Sequence, residues 1–292
     1  MYSIKYTKNR SGFSLMELMV VIAIVAMLIG ILVPAIQSVK RIAKNLQQKS
    51  MFHAIEIGIG LYRKDFGEYP ESALRSGPGG KYYTGAQHLA EAMVGRDSRG
   101  FEPTQAGKWN WPGTAPAAYE LYENTPKSKS RRKPRYVNLK DTGAFDPGLI
   151  YDSTGPVYSD PTPGGNPGPV LTDFFFEKKI DAAGETVKVG SPILYFKADS
   201  STDEFKADAS SSPPSEYRRW IYNYDDNRDI IEQFKPLNDP TKSHKMDKDL
   251  FYESIADRNA PFKPMNDSSF ILISAGYDCI FGTKDDVTNI KD

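Results

Sequence analysis

The sequence predicts an α+β fold in which a long N-terminal helix packs, through its outer half, on a small antiparallel sheet. An apolar run over residues 13–36 continues as an amphipathic segment to about residue 65, a pattern typical of one long helix. Short segments rich in β-branched and aromatic residues follow later in the chain and are typical of strands. Helix first and sheet afterwards is an α+β order, not the alternating order of α/β proteins.

Composition excludes several classes of protein. The 292 residues carry 37 basic and 37 acidic side chains, whereas a dedicated nucleic-acid binder is normally strongly positive, so we expect no nucleic-acid partner. A mean hydropathy of −0.50 excludes a polytopic membrane protein. The single cysteine, Cys279, excludes an intrachain disulfide and a cysteine-rich zinc site.

The first 36 residues are typical of a single membrane-spanning helix. Residues 1–12 carry three basic side chains and no acid, and residues 13–36 are apolar apart from Ser14 and Glu17. A helix over residues 13–36 would be about 36 Å long, which is enough to cross a bilayer core. The basic flank predicts that residues 1–12 stay in the cytoplasm and that the chain after residue 36 is exported.

A cleavable secretory signal and a plain membrane anchor are the simpler interpretations of this segment. A secretory signal has a shorter apolar core followed by a small-residue cleavage site, and the sequence has neither. A plain anchor leaves Glu17 unexplained, because a carboxylate at the centre of a membrane helix costs about 2.5–3.5 kcal/mol. We therefore expect Glu17 to meet a cation that another chain supplies in the membrane.

The residues from Gly12 to Ile24, GFSLMELMVVIAI, resemble the processing signal of type IV pilins and type II secretion pseudopilins. The resemblance implies that a prepilin peptidase cuts between Gly12 and Phe13 and methylates the new amino group of Phe13. It also implies that Glu17 pairs with this amine in a neighbouring subunit and that Pro34 distorts the helix. Glycine leaves room in a protease cleft, and proline removes a helix hydrogen bond, so the residue types suit these roles.

The resemblance implies a pilin-like division of the chain. A leader at residues 1–12 precedes the transmembrane half of the helix at 13–36, its exported half at 37–66 and a globular domain at 67–292. Gly67 ends the helix, within a segment similar to the one that follows the long helix in major pseudopilins. An apolar stripe along the exported half predicts the surface that packs on the sheet. Its members are Val39, Ile42, Leu46, Met51, Ile55, Ile59 and Tyr62.

The exported domain combines a loop-rich insertion with a few predicted strands. Residues 101–170 hold eleven of the 21 prolines, so regular structure there must be short. Within them, residues 127–135 carry six basic side chains, which favours a solvated loop and leaves docking to an anionic surface or partner open. We predict a hairpin over residues 174–196 and further strands at residues 220–224 and 269–274.

The C-terminal segment at residues 273–288 is an acidic turn that contains glycine. Asp278 and Asp285 lie seven residues apart, and carboxylates at this spacing can converge on one hard cation. The segment resembles the calcium loop of type II major pseudopilins, which implies a calcium ion held by Asp278 and Asp285, with Asp286 as a third ligand or an outer group. The family usually has glycine where Cys279 stands, so a positive φ there would strain Cys279. A calcium-free acidic turn is the alternative.

These features predict a structural protein, not an enzyme, because no nucleotide-binding, nucleophile or metalloprotease motif is present and no organic cofactor is indicated. The resemblance implies a major-pseudopilin-like subunit of a pseudopilus, in the bacterial inner membrane with its C-terminal domain in the periplasm. Its partners would be copies of itself, prepilin peptidase, the assembly platform and minor pseudopilins. Two alternatives remain: a type IV pilus subunit or minor tip pilin that uses residues 101–170 for adhesion or recognition, and a membrane-tethered exported enzyme.

Overall fold

The computed structural model describes most of the chain in separate segments. The described residues are 12, 14–76, 82–96, 98–103, 126–139, 142–151, 155, 157, 169–181, 183–202, 221–257 and 260–290. The chain divides into two compact units, Met1–Ala43 and Lys44–Asp292. Most of the predicted insertion at residues 101–170 lies outside the described residues.

The described residues form six α-helices and eleven short strands. The helices are α1 (Leu15–Phe66), α2 (Gly85–Val94), α3 (Pro126–Arg131), α4 (Pro147–Tyr151), α5 (Arg228–Gln233) and α6 (Lys248–Ile255). The strands are β1 (Arg75–Ser76), β2 (Tyr82–Tyr83), β3 (Gly143–Phe145), β4 (Val170–Thr172), β5 (Glu177–Ile180), β6 (Thr186–Val189), β7 (Leu194–Lys197), β8 (Ala256–Asp257), β9 (Ala260–Pro264), β10 (Phe270–Ser274) and β11 (Val287–Thr288). A long helix followed by small antiparallel sheets confirms the predicted α+β, pilin-like architecture.

The long helix α1 begins and ends close to its predicted limits. It ends at Phe66, where Gly67 has a φ of +84° and its N–H donates a 2.7 Å hydrogen bond to the carbonyl of Arg63. Glycine adopts this left-handed conformation without a steric penalty, so Gly67 ends the helix as the sequence predicts.

The buried stripe of α1 begins later than the sequence predicts. Its buried members are Gln48, Met51, Phe52, Ile55, Gly58, Ile59 and Tyr62. The prediction is wrong for Val39, Ile42 and Leu46, which are 64%, 57% and 63% exposed. Helical periodicity marks an apolar face but not how far along the helix a packing partner extends, and here burial starts only at Gln48.

The main sheet of the exported unit has three strands, in the order β11–β10–β7. Strand β10 confirms the strand predicted at residues 269–274, and it pairs antiparallel with both neighbours. The strand predicted at residues 220–224 is wrong for its described residues, because Tyr224–Asp226 form a turn of 3-10 helix. Asn223 explains the difference: its side chain accepts a hydrogen bond from the N–H of Asp225, which favours a turn over a sheet ladder.

The predicted hairpin at residues 174–196 exists but is shorter than predicted. Strands β5 and β6 pair antiparallel, and the Asp181 side chain orders their turn by accepting hydrogen bonds from the N–H groups of Ala183 and Glu185. After the hairpin, Gly190 packs closely on the end of β4, where a Cβ atom on it would lie 2.2 Å from the carbonyl oxygen of Asp173. Strand β7 follows outside the hairpin and pairs with β10.

Helix α2 was not predicted, although all ten of its residues are buried. It packs against β4 and β7. Its start carries a recognisable signal, because the N–H of Thr84 donates to the side-chain oxygen of Gln87 three residues later, as in a capping box. Its polar side chains, Gln87, His88 and Glu91, lie on one face of the helix and are buried as well.

Two hydrophobic clusters form the core of the exported unit. One joins α1 and α2 to the sheet through residues such as Ile55, Ile59, Leu89, Met93 and Leu272. The other lies around α5, α6 and the opposite side of the sheet, with Phe196, Ile230, Phe251, Ile271 and Phe281 among its members. The sheet thus has a buried face on each side, and the C-terminal turn contributes Cys279 to one cluster and Phe281 to the other.

Candidate functional site

The N-terminal motif lies at the exposed start of α1. Gly12 is exposed, whereas Phe13 lies outside the described residues, so the bond predicted to be cut is not described. The Ser14 hydroxyl oxygen accepts a hydrogen bond from the N–H of Met16 at 3.3 Å, and the Glu17 carboxylate accepts one from the N–H of Ser14 at 2.9 Å. These reciprocal bonds resemble a capping box and satisfy N–H groups that a helix start leaves without partners.

The cap gives Glu17 a partner within its own chain. Our sequence interpretation assigned Glu17 only a cation from another chain and missed the local signal, a serine followed three residues later by glutamate. The pairing with a neighbouring amine stays a prediction. The structure adds that Glu17 lies beside the backbone of Ser14, the residue next to the predicted new N-terminus.

The first part of α1 exposes a continuous apolar surface. Between Leu15 and Leu28, eleven large apolar side chains are each 46% to 76% exposed. By length and composition, α1 could cross a membrane, and it is the one such helix among the described residues. Soluble proteins rarely expose so much contiguous apolar surface, so this segment requires lipid or other apolar helices around it.

Pro34 lies inside this helix without interrupting it. The helix is continuous from Leu15 to Phe66, although Pro34 has no N–H to donate to the preceding turn. Local unwinding at Pro34 therefore stays a prediction for the assembled state.

The C-terminal acidic turn connects β10 to β11 and is closed by short backbone approaches. Gly276 and Gly282 have φ angles of +68° and +87°, and a Cβ atom on Gly276 would lie 2.1 Å from the carbonyl oxygen of Asp285. The N–H of Asp278 donates a 3.0 Å hydrogen bond to the carboxylate of Asp285. These contacts bring the two predicted calcium ligands together across the turn.

Cys279 occupies the left-handed conformation that the sequence comparison suggested for a glycine. Its φ is +54°, and its side chain is buried, with Sγ 3.9 Å from the carbonyl oxygen of Phe175. A non-glycine residue in this region costs about 1–2 kcal/mol. Burial raises the pKa of the thiol to about 12, so Cys279 is a packed, neutral side chain that holds backbone strain.

The acidic side chains of the turn are already engaged by neighbouring donors. Each predicted ligand accepts at least one further hydrogen bond within the turn: Asp278 from Ile280 N–H at 2.9 Å, Asp285 from the Thr283 hydroxyl at 2.7 Å, and Asp286 from Gly282 N–H at 2.7 Å. Burial raises the pKa of Asp278, with the nearby Asp285 charge adding to the effect. Burial also raises the pKa of Asp286 to about 7, and the charges of Asp278 and Asp285 add to it.

The turn fits a hard cation by its chemistry. All three side chains offer oxygen atoms, and Asp286 Oδ1 is buried without a hydrogen-bond partner among the described residues. Among those residues, however, no group of three or more His, Cys, Asp or Glu side chains is placed to hold a metal ion by itself. A calcium ion here would therefore need backbone carbonyls and water as well as Asp278, Asp285 and Asp286.

A buried carboxylate that sequence reasoning missed supports the base of this turn. Asp173 is fully buried after β4, where it accepts hydrogen bonds from the Phe175 and Ser191 N–H groups and a 2.8 Å bond from the Ser274 hydroxyl. Ser274 Oγ in turn accepts from the N–H of Gly276 at 3.3 Å. Asp173 thus joins three chain segments where β10 passes into the acidic turn, and burial raises its pKa to about 7.

A histidine supports the other side of the turn. His244 Nδ1 accepts a 3.1 Å hydrogen bond from the N–H of Phe281, and its ring packs on the Phe281 ring. Burial lowers the pKa of His244 to about 4, so the ring is neutral and Nδ1 is free to accept this bond. A lone histidine in the sequence carries no signal for this role, since its partner is a backbone group 37 residues away.

The basic run at residues 127–135 belongs in part to the interior of the exported unit. Arg131 and Arg132 both pair with Glu102, whose side chain is completely buried, and Lys133 lies 3.4 Å from Asp65. The solvated-loop interpretation is therefore wrong for Arg132, whose side chain is 3% exposed, because a buried carboxylate requires a cationic partner. Arg131 and Lys133 remain partly exposed, at 34% and 43%. The sequence-based interpretation did not include Glu102 as a partner of these cations, because it lies far from the basic run along the chain.

The family model of the prokaryotic N-terminal methylation motif matches residues 7–33. No curated protein sequence and no solved structure matches the chain. The matched range includes Gly12, Phe13 and Glu17, the residues that the resemblance assigns to cleavage, methylation and assembly. This match, and the long apolar helix α1 that begins within it, fit a type IV pilin-like protein that is anchored in a membrane by one helix and carries a prepilin-type methylation motif.

Proposed function

We propose that this protein is a structural subunit of a pseudopilus-type filament, of the major-pseudopilin kind found in type II secretion. The observation that carries the proposal is the exposed apolar surface of α1, which lies within the matched motif and continues beyond it. Lipid covers this surface in the membrane, and the same segments of neighbouring subunits cover it in a filament. One surface thus serves as anchor before assembly and as packing surface afterwards.

Each feature of the N-terminal segment has a role in this proposal. Residues 1–12 are the cytoplasmic leader, and removal of this leader leaves Phe13 as an N-methylated terminus in the membrane. Glu17 pairs with the amine of a neighbouring Phe13, because a carboxylate and an ammonium attract strongly at low dielectric. Pro34 lets the helix yield locally when subunits pack. The exported unit then lies in the periplasm.

The acidic turn has a stabilising role. When calcium is bound, it neutralises carboxylates that otherwise repel one another, and Asp278, Asp285 and Asp286 are the residues that would hold it. The orphaned oxygen of Asp286 favours this role, since a buried oxygen without a hydrogen-bond partner raises the free energy of the turn without an ion.

We propose no catalytic role for the chain. The acids with strongly raised pKa values that lie outside the turn, Asp173 and Asp226, are fully buried and hydrogen-bonded to Ser274 and Ser72. Groups in such positions cannot meet a substrate from solvent. Their positions support a role in joining chain segments within the fold.

Intact-mass measurement tests the processing step. Full-length protein expressed with a prepilin peptidase should lose residues 1–12 and gain one methyl group, and the Gly12→Ala variant should remain uncut. Gly60→Ala is the matched control, because a Cβ atom on Gly60 meets no other atom within 4 Å. Processing of the Gly12→Ala variant at the wild-type rate would contradict this part.

Filament assembly distinguishes the pseudopilus from the alternatives. We expect the processed protein to form sedimentable filaments when it is expressed with a type II secretion assembly platform, and Glu17→Gln to reduce them strongly. Assembly only with a type IV pilus platform would favour a pilus subunit or minor tip pilin. No assembly with either platform would leave the processed anchor and favour the tethered enzyme.

A further inference from the structure

The hairpin formed by β5 and β6 has one fully exposed face. Lys178 lies directly opposite Lys188 in the antiparallel register, and Ile180 lies opposite Thr186. All four residues are exposed, and Ile180 is 71% exposed, the largest value among the large apolar side chains that the structure describes in the Lys44–Asp292 unit. Opposed residues in a β-ladder point to the same side, so these four side chains form one surface, the outer face of the hairpin.

The outer face carries an uncompensated positive charge. Like charges directly opposite each other destabilise a strand pair, yet within the described residues neither Lys178 nor Lys188 has an ion-pair partner. The nearest acids along the chain do not neutralise this face: Glu177 lies on the other side of β5, and Asp181 is engaged in the turn. Such a pair is favourable where an external anion lies between the lysines.

The base of the hairpin is fixed to the first turns of α1 in the exported unit. The N–H of Phe174 donates a 2.9 Å hydrogen bond to the side chain of Gln48, and the Lys44 ammonium lies over the ring of Phe175. The rings of Phe174 and Phe176 also contact each other, with centroids 5.4 Å apart. The hairpin therefore begins at a part of α1 that is close in sequence to the membrane-spanning segment.

The chain between the membrane span and the hairpin is long enough for this face to contact the bilayer. Twelve residues of α1 separate Ile36 from Gln48, a rise of about 18 Å. From Phe174, six residues of extended chain reach Ile180 and span about 20 Å. The headgroup layer adds about 5–8 Å on each side of the hydrocarbon core. The hairpin is thus long enough to reach the headgroups of the membrane in which its own α1 is anchored.

We propose that the outer face of the hairpin docks on anionic phospholipid headgroups of that membrane. Lys178 and Lys188 pair with the lipid phosphates, and Ile180 inserts at the interface between them. This docking requires only the membrane span and not the filament, so it belongs to the subunit before assembly. It holds the exported unit against the bilayer, and extraction into a filament must release it.

A fluorescent label at the hairpin turn tests this docking in the full-length protein. Ala183→Cys places a thiol in the exposed turn, whereas Cys279 is buried and should remain unlabelled. The labelled protein is reconstituted at one copy per lipid nanodisc, either in phosphatidylcholine alone or with added phosphatidylglycerol. Headgroup-attached nitroxide lipids then quench labels that lie at the membrane surface. A label at Gln233, an exposed residue at the end of α5, is the control position.

Docking predicts strong quenching at the Ala183 position only in discs that contain phosphatidylglycerol, and weak quenching at Gln233. Removing each lysine charge should weaken docking about fivefold, so Lys178→Gln with Lys188→Gln should abolish most of the signal. The matched control, Lys242→Gln with Lys263→Gln, removes two exposed charges that are paired with local acids and should change nothing.

Three results would overturn the proposal. Equal quenching in both lipid compositions would show proximity without recognition of the anionic lipid. Equal quenching in the Lys178/Lys188 double variant and the wild type would remove the lysines from the explanation. Quenching that appears only when discs hold several copies would show that the face binds a second subunit. None of these results bears on the cleavage or filament assays, so the two proposals fail separately.

Discussion

Replacing Asp173 with asparagine should change how the stability of the protein depends on pH. Burial raises the pKa of Asp173 to about 7 from an ordinary value of 3.8. A carboxyl whose pKa is higher in the folded state contributes stability that is complete below the unfolded pKa and is lost as the pH rises through the folded pKa. The loss approaches about 1.4 kcal/mol per pH unit, or about 4 kcal/mol between pH 4 and 7.

The difference between the free energies of unfolding of Asp173→Asn and the wild type, taken at each pH, separates the contribution of Asp173 from those of the other buried groups. Burial also raises the pKa values of Asp226 and Asp286 to about 7, so both change stability in the same direction as Asp173. His244 acts in the opposite direction, because its pKa is lowered to about 4 and its contribution grows as the pH rises from 4 to 6.5. A pH profile of the wild type alone would therefore combine opposing slopes.

The assay is urea unfolding of the full-length protein in detergent at several pH values across this window. Asparagine keeps the shape and one oxygen acceptor of Asp173 but cannot ionise, so Asp173→Asn should gain stability relative to wild type with each pH unit. Asp239→Asn is the control, since hydrogen bonds from Thr241 and Lys242 lower the pKa of half-buried Asp239 from its ordinary value, and the group stays ionised across the window. Parallel pH profiles for Asp173→Asn and wild type would refute the reasoning.

Two further predictions concern the acidic turn. Because Cys279 has a φ of +54°, Cys279→Gly should be more stable than Cys279→Ala by about 1 kcal/mol, and equal thermal midpoints would show that the backbone is not strained. Calcium should raise the thermal midpoint of the wild type more than magnesium does, and Asp278→Ala should lose this response while Asp239→Ala keeps it. An equal response to magnesium, or an unchanged response in Asp278→Ala, would contradict the calcium proposal.

Local sequence signals predicted those helix ends and strands whose conformation depends mainly on residues that are neighbours in the chain. The end of α1 at Gly67 follows from the left-handed preference of glycine, and the strand at β10 follows from a run of apolar, partly β-branched residues. Helix α2 was missed although Gln87, His88 and Glu91 lie at helical spacing, and their burial depends on the strands that pack on the helix and not on a local signal. The strand predicted at residues 220–224 failed because the side chain of Asn223 stabilises a turn.

The sequence predicted the acidic turn, but it did not predict which distant residues form hydrogen bonds at the base of the turn. Major pseudopilins usually have glycine where Cys279 stands, so a positive φ was a possibility at this position, and Cys279 has one. By contrast, Asp173 bonds to Ser274 across 101 positions of sequence, and neither residue carries a local pattern. Burial of a carboxylate depends on such distant partners, because only the folded chain supplies its donors.

The cap at the start of α1 changes how assembly through Glu17 should be interpreted. Before cleavage, Glu17 satisfies the N–H of Ser14 at 2.9 Å. The proposed cleavage creates an ammonium one residue before Ser14, whose N–H the same carboxylate already accepts, so we expect a single processed subunit to neutralise its own terminus. In the proposed filament, pairing between subunits then replaces one ion pair with another, and its net contribution is smaller than that of forming a new pair at low dielectric. We therefore expect apolar packing of the exposed α1 surface to supply most of the assembly free energy, with Glu17 setting the register between subunits.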